Sequence, residues 1–197
     1  MVTLTRDTRQ TILAAAADLF RSQGWGGTTM QIVAERAGIS KGNLTYHFPS
    51  KLILFEAVHD EARSYVRDRV LARSFAEEPD AIAALEAFTG RLRRWFLDAD
   101  GRFVGCILTN LAIETQHAEP RVGMLTRDSL VRLRDALVPR FEAAQAAGEI
   151  RADLPAPELA RMFFWMYEGS LALSKAMDDP AEYDLFRAGL RAWLEPR

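Results

Sequence analysis

Between Thr28 and Lys51 the chain carries two short runs with helical spacing of apolar positions, and only Ala37, Gly38, Ile39 and Ser40 separate them. A linker this short forces the second helix to turn back across the first. The residue types permit it, since Ala34 is small enough for a close crossing and Gly38 tolerates the turn. Val33, Ala37, Ile39 and Leu44 supply a buried side, while Lys41, Asn43, Thr45, Tyr46 and His47 supply a polar outer face on the second helix. This is the layout of a helix-turn-helix, whose second helix presents its N-terminal residues to base edges in the major groove. The same spacing fits an αα-hairpin with no nucleic-acid role, so the pattern alone leaves both readings open.

The remainder reads as helix too, which predicts an all-α protein. A first helix opens on a capping box of Asp7 and Gln10, buries Ile12, Ala16, Leu19 and Phe20, and stops at Gly24 before Trp25. A second starts at Thr28, as its cap, and ends at Gly38. A third runs from Ser40 to about Phe48, where Pro49 stops it. The fourth extends from Ser50 to about Arg73. The fifth carries Ile82, Leu85, Phe88, Leu92, Trp95 and Phe96, and the sixth spans about Val104 to Gln116. The seventh opens at Pro120 and closes at Gly148, the eighth follows Pro155 and Pro157 to about Met177, and the ninth starts at Asp179-Pro180.

Composition excludes several classes. With 49% apolar and 26% charged residues the chain is neither disordered nor fibrous, and no apolar run reaches the ~18 residues of a membrane span. One cysteine, Cys106, rules out an internal disulfide and a multi-cysteine zinc site. No secretory signal pattern is present, so a cytoplasmic location is expected. Residues 1–52 hold six basic and three acidic side chains, against 19 and 24 in the rest. A basic head on an acidic body points the head toward a polyanion.

Residues 8 to 55 resemble the N-terminal domain of the TetR family of bacterial transcriptional repressors. The resemblance rests on Leu19-Phe20, Gly24-Trp25, the Thr28-Thr29 pair, Ile39-Ser40-Lys41-Gly42-Asn43-Leu44, Tyr46-His47-Phe48 and Lys51. It implies a three-helix DNA-binding domain over residues 1–50 and a six-helix ligand-binding and dimerisation domain over residues 51–197. It also implies that Lys41, Gly42, Asn43 and Thr45 approach base edges, while Tyr46, His47, Thr28 or Thr29, and Lys51 hold phosphates. Thr45 departs from the aromatic residue common at its position. The implied protein is a homodimeric repressor on a palindromic double-stranded operator, released by a small, largely apolar effector. The alternative is a helical protein-interaction module without DNA binding.

In the body, Cys106, Asn110, Glu114 and His117 follow helical steps, so they are expected to form one polar row. The Gly105-Cys106, Asn110, Glu114 spacing is similar to the ligand-domain helix of one branch of the family. Trp95, Phe103, Trp165 and Tyr167 are candidate walls of an effector pocket, with Cys106, Asn110 and Glu114 as polar anchors. The competing readings are core packing for the aromatics and, for the row, a satisfied structural network or, less in keeping with the residue types, a metal site. The run Phe163 to Tyr167 is apolar all round its helix, which predicts burial on two sides and a dimer through the last two helices. Phe164, Leu171, Phe186, Leu190 and Trp193 are its candidate contacts. No nucleotide-binding glycine loop, G-x-S-x-G elbow or H-E-x-x-H motif occurs, and there are three histidines in all. Neither catalysis, a metal nor a cofactor is expected.

Overall fold

The computed structural model describes residues 4–98 and 100–196, with side chains from residue 8 onward. Its described residues form helices α1 (Leu4–Gly27), α2 (Met30–Arg36), α3 (Lys41–His47), α4 (Lys51–Tyr65), α5 (Ala72–Glu77), α6 (Ala81–Leu92), α7 (Ile107–Glu114), α8 (Pro120–Ala146), α9 (Ala156–Met177) and α10 (Ala181–Leu194). The fold is all-α, as expected. A π-turn, Val66–Leu71, joins α4 to α5, and a 3-10 turn, Arg93–Phe96, extends α6. The fourth expected helix is therefore one rod from Lys51 to Glu77 with a widened turn in its middle.

Local signals place the head well. The α1 backbone breaks at Gly24, where φ is +70°. The turn after α2 uses Gly38 at φ +68°, a conformation that a side chain would strain by about 1 kcal/mol. Ser40 and Ser50 cap α3 and α4 by accepting from Asn43 N and Ile53 N. Two caps differ from expectation. Helix α1 begins at Leu4, so Asp7 and Gln10 lie inside it rather than ahead of it. Thr29, not Thr28, caps α2, its hydroxyl accepting from Ile32 N.

Two apolar cores result. The head core gathers Ile12, Leu19 and Phe20 of α1, Val33 of α2 and Leu44 of α3. It continues into Leu54, Phe55 and Val58 of α4, Leu111 of α7 and Val122 of α8. The first half of α4, with residues of α7 and α8, thus packs into the same core as the head. The body core is rich in aromatics: Phe88, Phe96, Phe103, Phe163, Tyr167 and Tyr183 share it with the leucines of α6 and α8 to α10. Polar ties lock its edges. The Tyr183 hydroxyl donates to Thr89 O at 2.8 Å, and Arg93 forms a bidentate pair with Asp184.

Candidate nucleic-acid interface and the junction behind it

Helix α3 rests on Leu44 alone among its own residues, which is fully buried and contributes about 1.5–3 kcal/mol through that burial. Its other side faces out: Lys41, Gly42, Asn43, Thr45 and Tyr46 are all exposed, Tyr46 by 83%. Tyr46 leans edge-on against the half-buried His47, with ring centroids 5.4 Å apart. The Thr45 hydroxyl donates to Lys41 O, which leaves its oxygen lone pairs and methyl free to meet a partner. Thr29 is exposed beside this face. Gly42 is notable for what surrounds it, because a Cβ built there meets nothing nearer than Ser40 Oγ at 4.0 Å. Nothing within the chain requires glycine at this point.

Two residues expected at phosphates have inward roles. Thr28 is fully buried, and its hydroxyl donates to Gly24 O at 2.7 Å, so it shapes the α1–α2 turn. Lys51 turns back as well. Its ammonium donates to Trp25 O at 2.9 Å and Thr28 O at 3.0 Å and sits 4.1 Å from the Trp25 ring centroid. Burial pulls its pKa below the ordinary lysine value, against the attraction of Glu114 and Glu119. Two of its three N–H directions are used within the chain, leaving one for an outside acceptor.

Glu114 is the larger correction. It does not point into the body; it closes the same turn from the other side. The Glu114 carboxylate accepts from Trp25 N at 2.8 Å and Gly26 N at 2.7 Å. Gly24 in its left-handed conformation aims those consecutive amides at one place, a small anion-binding nest. A Cβ on Gly24 would lie 2.3 Å from Glu114 Oε2, so glycine is needed there for space and for backbone. Arg21 of α1 adds a second tie by donating to Trp95 O at 2.9 Å. Buried His59 of α4, 2.8 Å from Ser129 Oγ of α8, makes a third.

The other expected pocket residues do not converge. Cys106 precedes α7 in extended backbone, and Asn110 and Glu114, one turn apart on α7, spend hydrogen bonds on Val104 O and on the Trp25 and Gly26 amides. Phe103 and Tyr167 are buried within the aromatic core. Trp95 stacks on Tyr65 at 4.6 Å, and Trp165 is 61% exposed. The Cys106 thiol is held protonated by burial and by neighbouring Glu168, which argues against a reactive thiolate.

Sequence reasoning missed Glu168. The Thr109 hydroxyl donates to its carboxylate at 2.6 Å, and burial raises its pKa to about 7. The folded state therefore holds a proton that the unfolded chain releases near 4.5, and stability falls as pH rises from there through about 7. Glu168→Gln should flatten that fall, as read by urea midpoints at about pH 5 and about pH 8.

Along α9 and α10, Met166, Leu173, Leu185, Phe186 and Trp193 line an open groove of about 430 Å³. Gly169 and Gly189 also line it, and a Cβ on either would meet nothing. Of the expected dimer contacts, Phe186 and Trp193 lie in the groove. Leu190 borders it but is 1% exposed, and Leu171, also 1% exposed, belongs to the core; Phe164 packs against that core.

Known proteins share this architecture. Residues 12–58 match the model described as bacterial regulatory proteins, tetR family, and residues 81–190 match that of the tetracyclin repressor-like C-terminal domain. The transcriptional regulator UidR of Escherichia coli K12 is 27% identical over 194 residues, covering 98% of this chain and 94% of UidR. A TetR family regulator from Agrobacterium tumefaciens superposes with a TM-score of 0.84 at 22% identity, over 96% of this chain and 98% of that one. Salmonella enterica GusR gives 0.67 at 27% identity over 98% of each chain. Regulators of this family bind operator DNA and form dimers, and among the described residues no helix is long and apolar enough to cross a membrane. With both halves matched in order along one chain, and an exposed recognition helix where the first match lies, the chain belongs to the TetR family of DNA-binding transcriptional regulators.

Proposed function

We propose that the chain is a cytoplasmic, homodimeric repressor that reads an inverted-repeat operator through α3 and is released by a small effector. Lys41, Gly42, Asn43 and Thr45 face the bases; Thr29, Tyr46, His47 and the remaining N–H of Lys51 face phosphates. Two copies joined along α9 and α10 carry two such helices, about 34 Å apart on one side of the duplex. On the residues Gly105, Cys106, Asn110 and Glu114 we assign it to the branch of the family with that spacing. An effector acts by preferring one separation of the two heads, and its leverage is limited to the difference in its affinity for the two states. The Glu114 nest, the Arg21–Trp95 tie and the His59–Ser129 contact are polar contacts through which the body holds each head.

The exposed, unconstrained Gly42 carries this reading, because its lack of a side chain serves close approach by something outside the chain. Gly42→Ala should leave the fold intact and stabilise it by up to about 1 kcal/mol, since alanine favours helix. Operator affinity should fall about tenfold or more, as a methyl group holds α3 off the groove. Melting and a mobility shift on the duplex upstream of its own gene measure the two effects. Unchanged affinity would remove α3 from the groove.

A further inference from the structure

The wall formed by the π-turn and α5 faces α6 and its 3-10 extension across a cleft of about 330 Å³. Arg69, Arg73, Arg91 and Arg94 all line it, with Tyr65 and Gly90 between them. The chain does not neutralise this concentration of charge. Glu77 serves both Arg73 and Arg91, at 2.7 Å each, and Glu78 stands 3.7 Å from Arg91. Asp68 is paired with Arg67 instead. Among the described residues Arg94 donates only to the Tyr65 hydroxyl, at 3.1 Å, and Arg69 feels Asp68 electrostatically but makes no ion pair. Behind Gly90 lies a further guanidinium, since a Cβ there would meet Arg187 Nη2 at 2.8 Å. Four cations with two carboxylates among them leave a net positive cleft that favours an anion, and guanidinium groups are the side chains best shaped to grip one with two parallel hydrogen bonds.

We infer that this cleft binds a small organic anion, a carboxylate or phosphate carried on a single ring, with the anionic group between Arg69 and Arg94 and the ring against Tyr65. Tyr65 is backed by Trp95, its ring partner at 4.6 Å, which gives a rigid aromatic floor. The volume is at the lower end of the roughly 300–1,000 Å³ usual for ligand pockets, which sets the size at one ring. The site's position gives the anion a consequence. One wall continues the rod that begins at Lys51 in the head, and the π-turn widens that rod at the cleft, a feature frequent at functional sites. The other wall ends at Trp95, whose carbonyl holds Arg21 of α1. An anion that draws the two walls together shifts both connections to the head. Its role as effector rests on the repressor reading above; its binding does not.

Calorimetric titration of the full chain with inorganic phosphate, benzoate and phenyl phosphate, with benzyl alcohol as the uncharged control, tests the site at fixed ionic strength. At least one ring-bearing anion should bind saturably, one per chain, and benzyl alcohol should not. Replacing both exposed arginines, Arg69→Ala with Arg94→Ala, should weaken binding at least tenfold without changing the melting curve. Arg67→Ala, on the same turn but paired with Asp68, should leave it unchanged. No saturable uptake of either ring-bearing anion, or equal uptake by the double variant, overturns the site. Operator release is read separately in a mobility shift. Release by a saturating anion supports the effector role, and an operator complex that survives with the anion bound overturns it. A chain that shifts no duplex even without anion refutes the repressor reading and leaves the calorimetric result standing.

Discussion

Leu185→Arg should convert the protein to a monomer that no longer holds an operator. Leu185 is 68% exposed in the single chain and stands at the groove between α9 and α10, beside Leu173 and Trp193. Leaving such a groove in water is costly, at about 25 cal/mol for each Å² of apolar surface. In the dimer proposed above a second copy of the same face covers it, and Gly169 and Gly189 leave room for helices to approach closely. A guanidinium placed there would be buried without a partner, which costs several kcal/mol and exceeds the contribution of any single contact it replaces. Because Leu185 is exposed, the variant spares the monomer's own core. Leu190 would not serve, since at 1% exposure it belongs to that core and a charge there tests folding instead. Light scattering should report half the wild-type mass. Operator affinity should fall by about 10²–10⁴, the gain that joining two half-site contacts provides. A variant that remains dimeric would place the interface elsewhere.

How far the sequence reaches is seen by comparing the head with the junction. Gly24, Gly38, Ser40, Ser50 and Pro49 act on neighbours within four residues, so the breaks and caps they produce can be read from the chain. Thr28 and Thr29 show the limit of that reading. Both are cap-forming types, and only the packing of Thr28 against Gly24 decides that Thr29 takes the role. The π-turn leaves no mark in the pattern, because one extra residue per turn hardly disturbs the spacing of Val66 and Val70. Trp165 belongs to an aromatic cluster that reads as a pocket wall, and it faces outward. Periodicity reports that a face is apolar and is silent on what covers it. For Glu114 the partners lie 88 and 89 residues away, and they are backbone amides, which carry no sequence signal at all. An acidic residue among apolar ones suggests a ligand anchor; it serves instead as the clasp between body and head. The arginine cleft is hidden for a similar reason, since Arg69 and Arg73 lie on one rod, Arg91 and Arg94 on α6 and its extension, and each pair reads by itself as a solvated helix face.

The clasp gives the second large effect. Glu114→Ala should loosen each head from its body, leaving Trp25 N and Gly26 N without their acceptor and Lys51 with Glu119 as its remaining attracting carboxylate. Hydrogen bonds to a charged group are worth about 1.5–3 kcal/mol each, but this carboxylate is exposed and solvent competes for it. A loss of about 1–2 kcal/mol for the pair is therefore expected in urea unfolding. Amide exchange at Trp25 and Gly26 should rise while that of Leu44 in α3 stays slow, which separates a loosened junction from a damaged head. The companion substitution Gly24→Ala distinguishes the clasp from a general cost of mutation. In the wild-type background its Cβ would collide with Glu114 Oε2 at 2.3 Å, and the left-handed backbone adds strain of its own. In the Glu114→Ala background the collision is gone and only the backbone strain remains, about 1–3 kcal/mol for a conformation almost confined to glycine. The two changes should thus combine to less than their sum by about 1 kcal/mol, a coupling that a double-mutant cycle resolves. Strict additivity would mean that the carboxylate does not hold the nest. If the clasp transmits the state of the body, the same variant should also keep its operator affinity within a few-fold while losing most of its response to a bound effector, since coupling of ~1–3 kcal/mol is all that connects the two sites.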